Sequence, residues 1–126
     1  MPLSTDISDF DRRELTFRGK TKPVLVSGVA GPAVLVLHEI YGVTPTLLRL
    51  CRWLRDGGFR TYVPVLLGHP DASNPEKISL GRTLALCVSR EFTLFATGRP
   101  SVVTDWLRDL AHMAHAECGG SGVGVI

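Results

Sequence analysis

The segment Ala33–Leu37 reads AVLVL and is apolar at every position, with no alternation of polar and apolar residues. A strand that faces water on one side alternates, whereas a strand covered on both sides does not. This segment therefore predicts an inner strand of a parallel sheet with helices on both faces. It restricts the fold more than any other segment, because it points to a layered α/β domain.

A helix and a second buried strand are predicted directly after this segment. Thr44 is a suitable N-cap, and Pro45 suits the first helical turn, where its missing N–H loses no partner. The helix should end at Gly57-Gly58, because glycine tolerates the left-handed backbone found at many helix ends. Arg60–Leu67 (RTYVPVLL) predicts the next strand, with Pro64 near its carboxyl end because proline cannot donate to a sheet ladder. The apolar stripe of the helix consists of Leu47, Leu50, Cys51 and Leu54.

The two ends of the chain add further strands to this βαβ unit. Glu14–Arg18 and Pro23–Ser27 predict an N-terminal hairpin, with its turn at Gly19-Lys20-Thr21. Ser101–Glu117 predicts a helix capped by Ser101, and Gly122–Ile126 (GVGVI) predicts another buried strand. The predicted fold class is α/β, with a mostly parallel sheet, the N-terminal hairpin and flanking helices.

Composition narrows the class of protein. The chain has 126 residues, of which 44% are hydrophobic and 21% charged, as is ordinary for one globular domain. Its formal charge of +2 is too small to indicate a nucleic-acid or membrane-surface partner. No signal peptide or membrane span is visible, and three widely spaced cysteines fit a reducing compartment. We therefore expect a cytoplasmic protein with no membrane or nucleic-acid partner.

Candidate site residues follow the buried strand directly. In open α/β sheets, ligands bind at the carboxyl ends of the strands, where this chain carries His38-Glu39-Ile40-Tyr41-Gly42. Because an unpaired buried charge is costly, Glu39 should be either a structural carboxylate paired with an arginine or a functional residue. His38 lacks the second histidine of a His-Glu-x-x-His zinc motif, so we expect a hydrogen-bonded structural histidine.

The segment Ala33–Gly68 (AVLVLHEIYGVTPTLLRLCRWLRDGGFRTYVPVLLG) resembles the dienelactone hydrolase family of α/β-hydrolases. The shared pattern is a buried strand, His-Glu-Ile-aromatic-Gly, a capped helix, Gly-Gly-Phe, and a strand that ends near a proline. Val103–Ile126 is similar to the helix and strand that precede the nucleophile of that family. The resemblance implies hydrolysis of a small-molecule carboxylic ester or lactone by a Cys-His-Asp triad. The nucleophile would lie on a Gly-x-Cys-x-Gly elbow directly after the strand that here reads GVGVI.

The resemblance also implies roles for individual residues, and no metal or organic cofactor. Glu39 would contact the nucleophilic thiol and help to activate it, and the backbone N–H of Ile40 would donate to the oxyanion. Arg90 would border the pocket, where it could bind a substrate carboxylate in a bidentate manner. A surface charge beside Glu91 explains Arg90 as well, and we prefer that simpler interpretation.

The sequence ends at Ile126, before the elbow, the acid and the catalytic histidine of the family pattern. None of the three cysteines, Cys51, Cys87 and Cys118, fits the position of the nucleophile, and buried or incidental thiols are expected for all three. We therefore expect residues 1–126 to be the N-terminal half of one α/β-hydrolase domain, inactive in isolation.

Two alternatives remain open. The chain could be a truncated, non-catalytic α/β remnant or interaction module that self-associates through its exposed half-core. A flavodoxin- or nucleotide-binding-type domain is disfavoured, because its first parallel strand should be followed by a glycine loop that binds phosphate. Here His-Glu-Ile-Tyr-Gly places a carboxylate where that anion would lie.

Overall fold

The computed structural model describes residues 6–39, 42–66 and 102–126. Within these ranges the chain forms one five-stranded sheet, in the order β1-β2-β4-β3-β5, and two helices. The elements are β1 (Asp11–Phe17), β2 (Lys20–Ser27), β3 (Ala33–Leu35), α1 (Pro45–Asp56), β4 (Arg60–Pro64), α2 (Val102–Glu117) and β5 (Val123–Val125).

The sheet combines a parallel part with an antiparallel part. β3 runs parallel to both of its neighbours, β4 and β5, whereas β2 is antiparallel to both β1 and β4. The predicted α/β class, N-terminal hairpin and flanking helices are confirmed. The prediction of a mostly parallel sheet is wrong for the described strands, because the hairpin joins the side of β4 and supplies two antiparallel pairings.

The hairpin turn lies one residue earlier than predicted. Arg18 and Gly19 both have positive φ angles, of 53° and 76°, as in the two-residue turns that match the twist of paired strands. Lys20 already pairs with Phe17, so it belongs to β2 rather than to the turn.

Each face of the sheet packs against one helix. On one face, Val34 lies in a cluster with Leu48 and Cys51 of α1. On the other, Leu35 lies in a cluster with Trp106 of α2. Successive residues of β3 thus enter opposite cores, which confirms the predicted burial on both faces. Full burial of side chains of this size contributes about 1.5–3 kcal/mol each, so the two cores hold the three layers together.

The predicted N-cap, first residue and end of α1 are confirmed. Thr44 caps the helix by accepting a hydrogen bond of 3.3 Å from the backbone N–H of Leu47, and Pro45 is the first helical residue. Gly58, with φ of 95°, follows the helix end. The predicted apolar stripe omitted Leu48, which is fully buried. Three members of the stripe, Leu47, Leu50 and Leu54, are only partly buried.

The last strand differs from its prediction. Gly122–Ile126 was expected to be a buried strand, but Val125 and Ile126 are 60% and 58% exposed. The reason is that β5 lies at the edge of the sheet, where β3 is its one strand neighbour among the described residues. The predicted cap of α2, Ser101, lies outside the described residues. In the ranges that are described, no helix has both the length and the apolar character needed to cross a bilayer.

Candidate active-site cleft

A cleft of about 570 Å³ opens at the carboxyl end of β3. Its apolar wall and its polar rim come from three elements, the end of β3, the start of α1 and the end of β5. The apolar wall consists of Val36, Leu37, Leu47, Leu50 and Ile126, and the rim of Glu39, Gly42, Thr44 and Thr46.

Two backbone hydrogen bonds place the end of β5 in this cleft. The Ile126 N–H donates to the carbonyl of Leu35 at 2.9 Å, and the Leu37 N–H donates to the carbonyl of Ile126 at 2.8 Å. These bonds extend the parallel ladder between β3 and β5 beyond its last strand residues. The end of β5 is therefore fixed beside the loop that carries Glu39.

Glu39 lies at the rim of the cleft and is exposed. Its backbone carbonyl accepts a hydrogen bond of 2.9 Å from the Gly42 N–H, and Gly42 has a positive φ of 79°. Among the described residues, no ion pair or hydrogen bond engages the Glu39 carboxylate. The premise that Glu39 is a buried charge was wrong, because Glu39 is exposed after the covered part of β3.

His38 connects the loops that follow β3 and β4, as expected of a structural histidine. The Leu66 N–H donates to His38 Nε2 at 2.8 Å, so Nε2 is an acceptor and the ring proton belongs on Nδ1. Nδ1 in turn lies 2.6 Å from the carbonyl oxygen of Glu39, to which it donates. Burial lowers the pKa of His38, which agrees with this neutral ring. His38 therefore helps to position the Glu39 backbone, a role that its sequence position alone did not reveal.

The described cysteines occupy structural positions. Cys51 is buried against the sheet, and burial raises its pKa to about 11, so it is a neutral thiol at physiological pH. Cys118 is half-buried after the end of α2, where its thiol lies 3.3 Å from the carbonyl oxygen of His115. These positions confirm the expected incidental thiols, and neither side chain lines the cleft.

The histidines of α2 take no part in the cleft. His112 and His115 are both exposed. His115 has a structural role that the sequence did not reveal, because its Nδ1 accepts a hydrogen bond of 3.1 Å from the Gly122 N–H. Within the described ranges, histidine, cysteine and acidic residues form no group of three that could hold a metal ion.

Three of the predicted or considered site residues lie outside the described residues, namely Ile40, Arg90 and Cys87. Conversely, sequence reasoning missed Thr46, Leu47 and Leu50 as parts of the cleft. Leu47 and Leu50 were assigned to the helix core on their spacing. Only the position of α1 relative to the end of β5 shows that they also face the cleft.

Comparisons with known proteins reveal a relation at the level of fold. The sequence matches no protein-family model and no curated protein. Among solved structures, the chain is similar to one titled "Putative Dienelactone Hydrolase" from Klebsiella pneumoniae subsp. pneumoniae MGH 78578, with a TM-score of 0.59 and 21% sequence identity. The match covers 92% of this chain and 48% of the other, so this chain spans about half the length of that protein.

The fold and the cleft together define a class of protein. The chain forms part of an α/β fold, similar to that of the Klebsiella protein, with a candidate site at the carboxyl ends of its parallel strands.

Proposed function

We propose that this chain forms the N-terminal part of a dienelactone hydrolase-like enzyme that hydrolyses small-molecule carboxylic esters or lactones. The observation that carries the proposal is that Glu39 and the end of β5 line one cleft. In the dienelactone hydrolase pattern, the nucleophile follows this strand directly. A chain continued beyond Ile126 would therefore bring its next residues to the cleft that Glu39 borders.

In the proposed mechanism, Glu39 supports a nucleophile supplied by the continued chain. Its exposed carboxylate would accept the proton of the thiol as a general base, and the thiolate that remains would attack the ester carbonyl. The backbone N–H of Ile40 would donate to the oxyanion that forms. Cys51 cannot replace this nucleophile, because its pKa of about 11 leaves very little thiolate at neutral pH. We therefore expect residues 1–126 alone to show no turnover.

The test is to determine the coding sequence beyond codon 126 and to assay the complete product on a nitrophenyl ester. We expect Glu39→Gln to lower kcat/KM by about 100-fold or more, as is typical when a group that assists proton transfer is lost. Glu14→Gln is the matched control, because Glu14 is an exposed carboxylate on β1, at the opposite edge of the sheet. Equal kcat/KM values for the parent and Glu39→Gln, or repeated turnover by residues 1–126, would count against the proposal.

A second candidate is a non-catalytic remnant or interaction module that self-associates. The exposed and uncharged strand β5 favours this candidate, because such an edge can pair with another chain. A stop codon directly after codon 126, together with concentration-dependent association, would favour it over the enzyme.

A further inference from the structure

We infer that His38 is a positioning residue of the proposed active site, because its ring holds and polarises the peptide group whose N–H would bind the oxyanion. This inference rests on the proposed function, which assigns the oxyanion to the backbone N–H of Ile40. It adds a side chain that acts on this N–H through the carbonyl of Glu39 and does not itself touch the substrate.

The carbonyl of Glu39 is held by two donors. His38 Nδ1 lies 2.6 Å from the carbonyl oxygen, and the Gly42 N–H donates to the same oxygen at 2.9 Å. The carbonyl of Glu39 and the N–H of Ile40 belong to one planar peptide group, and in the ordinary trans form they point to opposite sides. Fixing the direction of the carbonyl therefore also restricts the direction in which this N–H can donate.

The other ring nitrogen attaches His38 to the sheet. The Leu66 N–H donates to His38 Nε2 at 2.8 Å. Leu66 follows β4, and the N–H of the neighbouring Val65 donates to the carbonyl of Pro23 in β2 at 2.9 Å. The ring is thus held between the end of β4 and the loop after β3, so the sheet itself fixes its orientation.

The hydrogen bond from Leu66 also determines which ring nitrogen carries the proton. Because Nε2 accepts, the neutral ring has its proton on Nδ1 and donates it to the carbonyl of Glu39. Donation to a carbonyl makes the N–H of the same peptide a better donor, since successive hydrogen bonds strengthen one another by roughly 10–30% each. The oxyanion carries most charge in the transition state, so the benefit should appear in kcat rather than in KM.

Two variants separate the two hydrogen bonds of the ring. His38→Asn can place its amide donor near the position of Nδ1 but does not reach the position of Nε2. His38→Gln can place its amide oxygen near the position of Nε2, where it accepts from Leu66, but leaves the carbonyl of Glu39 without its side-chain donor. His38→Ala removes both hydrogen bonds.

The first measurement is an NMR comparison of the ¹⁵N-labelled chain, residues 1–126, with these three variants. The amide nitrogen shift of Ile40 reports on the hydrogen bonding of the Glu39 carbonyl, and the amide of Leu66 reports on the bond to Nε2. We expect the Ile40 shift to change less in His38→Asn than in His38→Gln or His38→Ala. The Leu66 amide should show the reverse order for the first two variants.

The second measurement is the hydrolysis of a nitrophenyl ester by the complete product. We expect His38→Gln and His38→Ala to lower kcat by about tenfold and to change KM by less than about twofold. The N–H of Ile40 remains in both variants, so this loss is smaller than that for an oxyanion donor removed outright. His38→Asn should retain most of the parent kcat.

A control variant and a stability measurement separate positioning from folding. His112→Gln removes an exposed imidazole of α2, outside the cleft, and should leave both the Ile40 shift and kcat unchanged. Urea unfolding of each variant shows whether it is folded under the assay conditions. A role of His38 in stability alone would lower the free energy of unfolding without separating kcat from KM.

Three results would overturn the inference. They are an unchanged Ile40 shift in His38→Gln, a kcat of His38→Gln equal to that of the parent, and equal losses of kcat in His38→Asn and His38→Gln. If kcat depends on Glu39 but not on His38, the inference fails and the proposed function stands. If the complete product shows no turnover that depends on Glu39, the proposed function fails, and the Ile40 shifts still decide whether His38 sets this peptide group.

Discussion

The two edges of the sheet differ in the charge of their side chains. At the β1 edge, Arg12 pairs with Glu14 at 3.0 Å, and Arg13 pairs with Glu117 of α2 at 2.8 Å. At the β5 edge, the segment Gly122–Ile126 has no charged side chain. Charges on an edge strand oppose pairing with another chain, so the β1 edge is protected, whereas β5 forms the open edge of the sheet within the described residues.

The backbone hydrogen bonds of β5 show which of its groups remain for a further strand. Both the N–H and the carbonyl of Ile126 bond to the segment that contains β3. Because the peptide groups of successive strand residues point to opposite sides, the N–H and carbonyl of Val125 point away from β3. Outward-facing groups of this kind form a template for a further strand. The open edge and the cleft share the end of β5.

The largest expected effect concerns the anchoring of α2 to the protected edge. Trp106 is buried, its ring packs edge-on against Phe17 of β1 at 5.2 Å between centroids, and its Nε1–H donates to the Lys20 carbonyl at 2.9 Å. Trp106→Ala should lower the free energy of unfolding by about 3–5 kcal/mol, because it creates a cavity and leaves that carbonyl without its donor. Urea unfolding followed by circular dichroism measures the loss.

The chain offers a matched control in its second tryptophan. Trp53 is 67% exposed on α1, and Trp53→Ala should change the free energy of unfolding by no more than about 0.5 kcal/mol. Similar losses in the two variants would show that α2 does not hold the β1 edge as the structure indicates.

The sequence predicted local structure better than position within the sheet. Thr44, Pro45 and Gly58 act through neighbouring backbone groups, so local reasoning found the bounds of α1. Ala33–Leu37 and Gly122–Ile126 are equally apolar, yet the first contains the inner strand β3 and the second the edge strand β5. The number of neighbours that a strand has depends on long-range pairing, which the composition of a short segment does not encode.

Local sequence reasoning was also incomplete for the candidate site. Strand-end reasoning located Glu39, because ligands bind where parallel strands end. The position of its backbone, however, depends on the hydrogen bond from the Gly42 N–H and on hydrogen bonds of the His38 ring to Glu39 and Leu66. Leu50 was assigned to the core because its spacing fits the buried stripe, and only the neighbouring end of β5 reveals its place in the cleft.

A smaller effect is expected at the open edge. If residues 1–126 self-associate through β5, Val125→Lys should raise the dissociation constant at least about tenfold, or by about 1.4 kcal/mol. The added charge would oppose strand pairing and remove an exposed apolar side chain from the contact. Sedimentation equilibrium over a range of concentrations measures the change.

A lysine on β1 tests whether this effect belongs to the open edge. Thr16 is exposed on the protected edge, and Thr16→Lys should leave the dissociation constant unchanged. A parent protein that stays monomeric at all concentrations, or equal effects of the two lysines, would show that the edges do not differ in this way.

The smallest expected effect concerns the ion pairs of the protected edge. Burial alone would raise the pKa of Glu117, but the Tyr62 hydroxyl at 2.7 Å and the Arg13 guanidinium at 2.8 Å hold it below its ordinary value of 4.5. A carboxyl whose pKa is lowered by folding stabilises the protein fully above its unfolded pKa. That contribution is lost as the pH falls through the lower, folded pKa.

Glu117→Gln should therefore lower the free energy of unfolding by about 1 kcal/mol at pH 7, a modest loss because the carboxylate is partly hydrated. The difference from the parent should shrink as the pH falls below 4.5, since the parent loses the same contribution there. Urea unfolding from pH 7 to pH 3 measures this convergence, with Glu14→Gln as the exposed control on the same edge. A constant difference across that range would mean that Glu117 stabilises the β1 edge by packing rather than by charge.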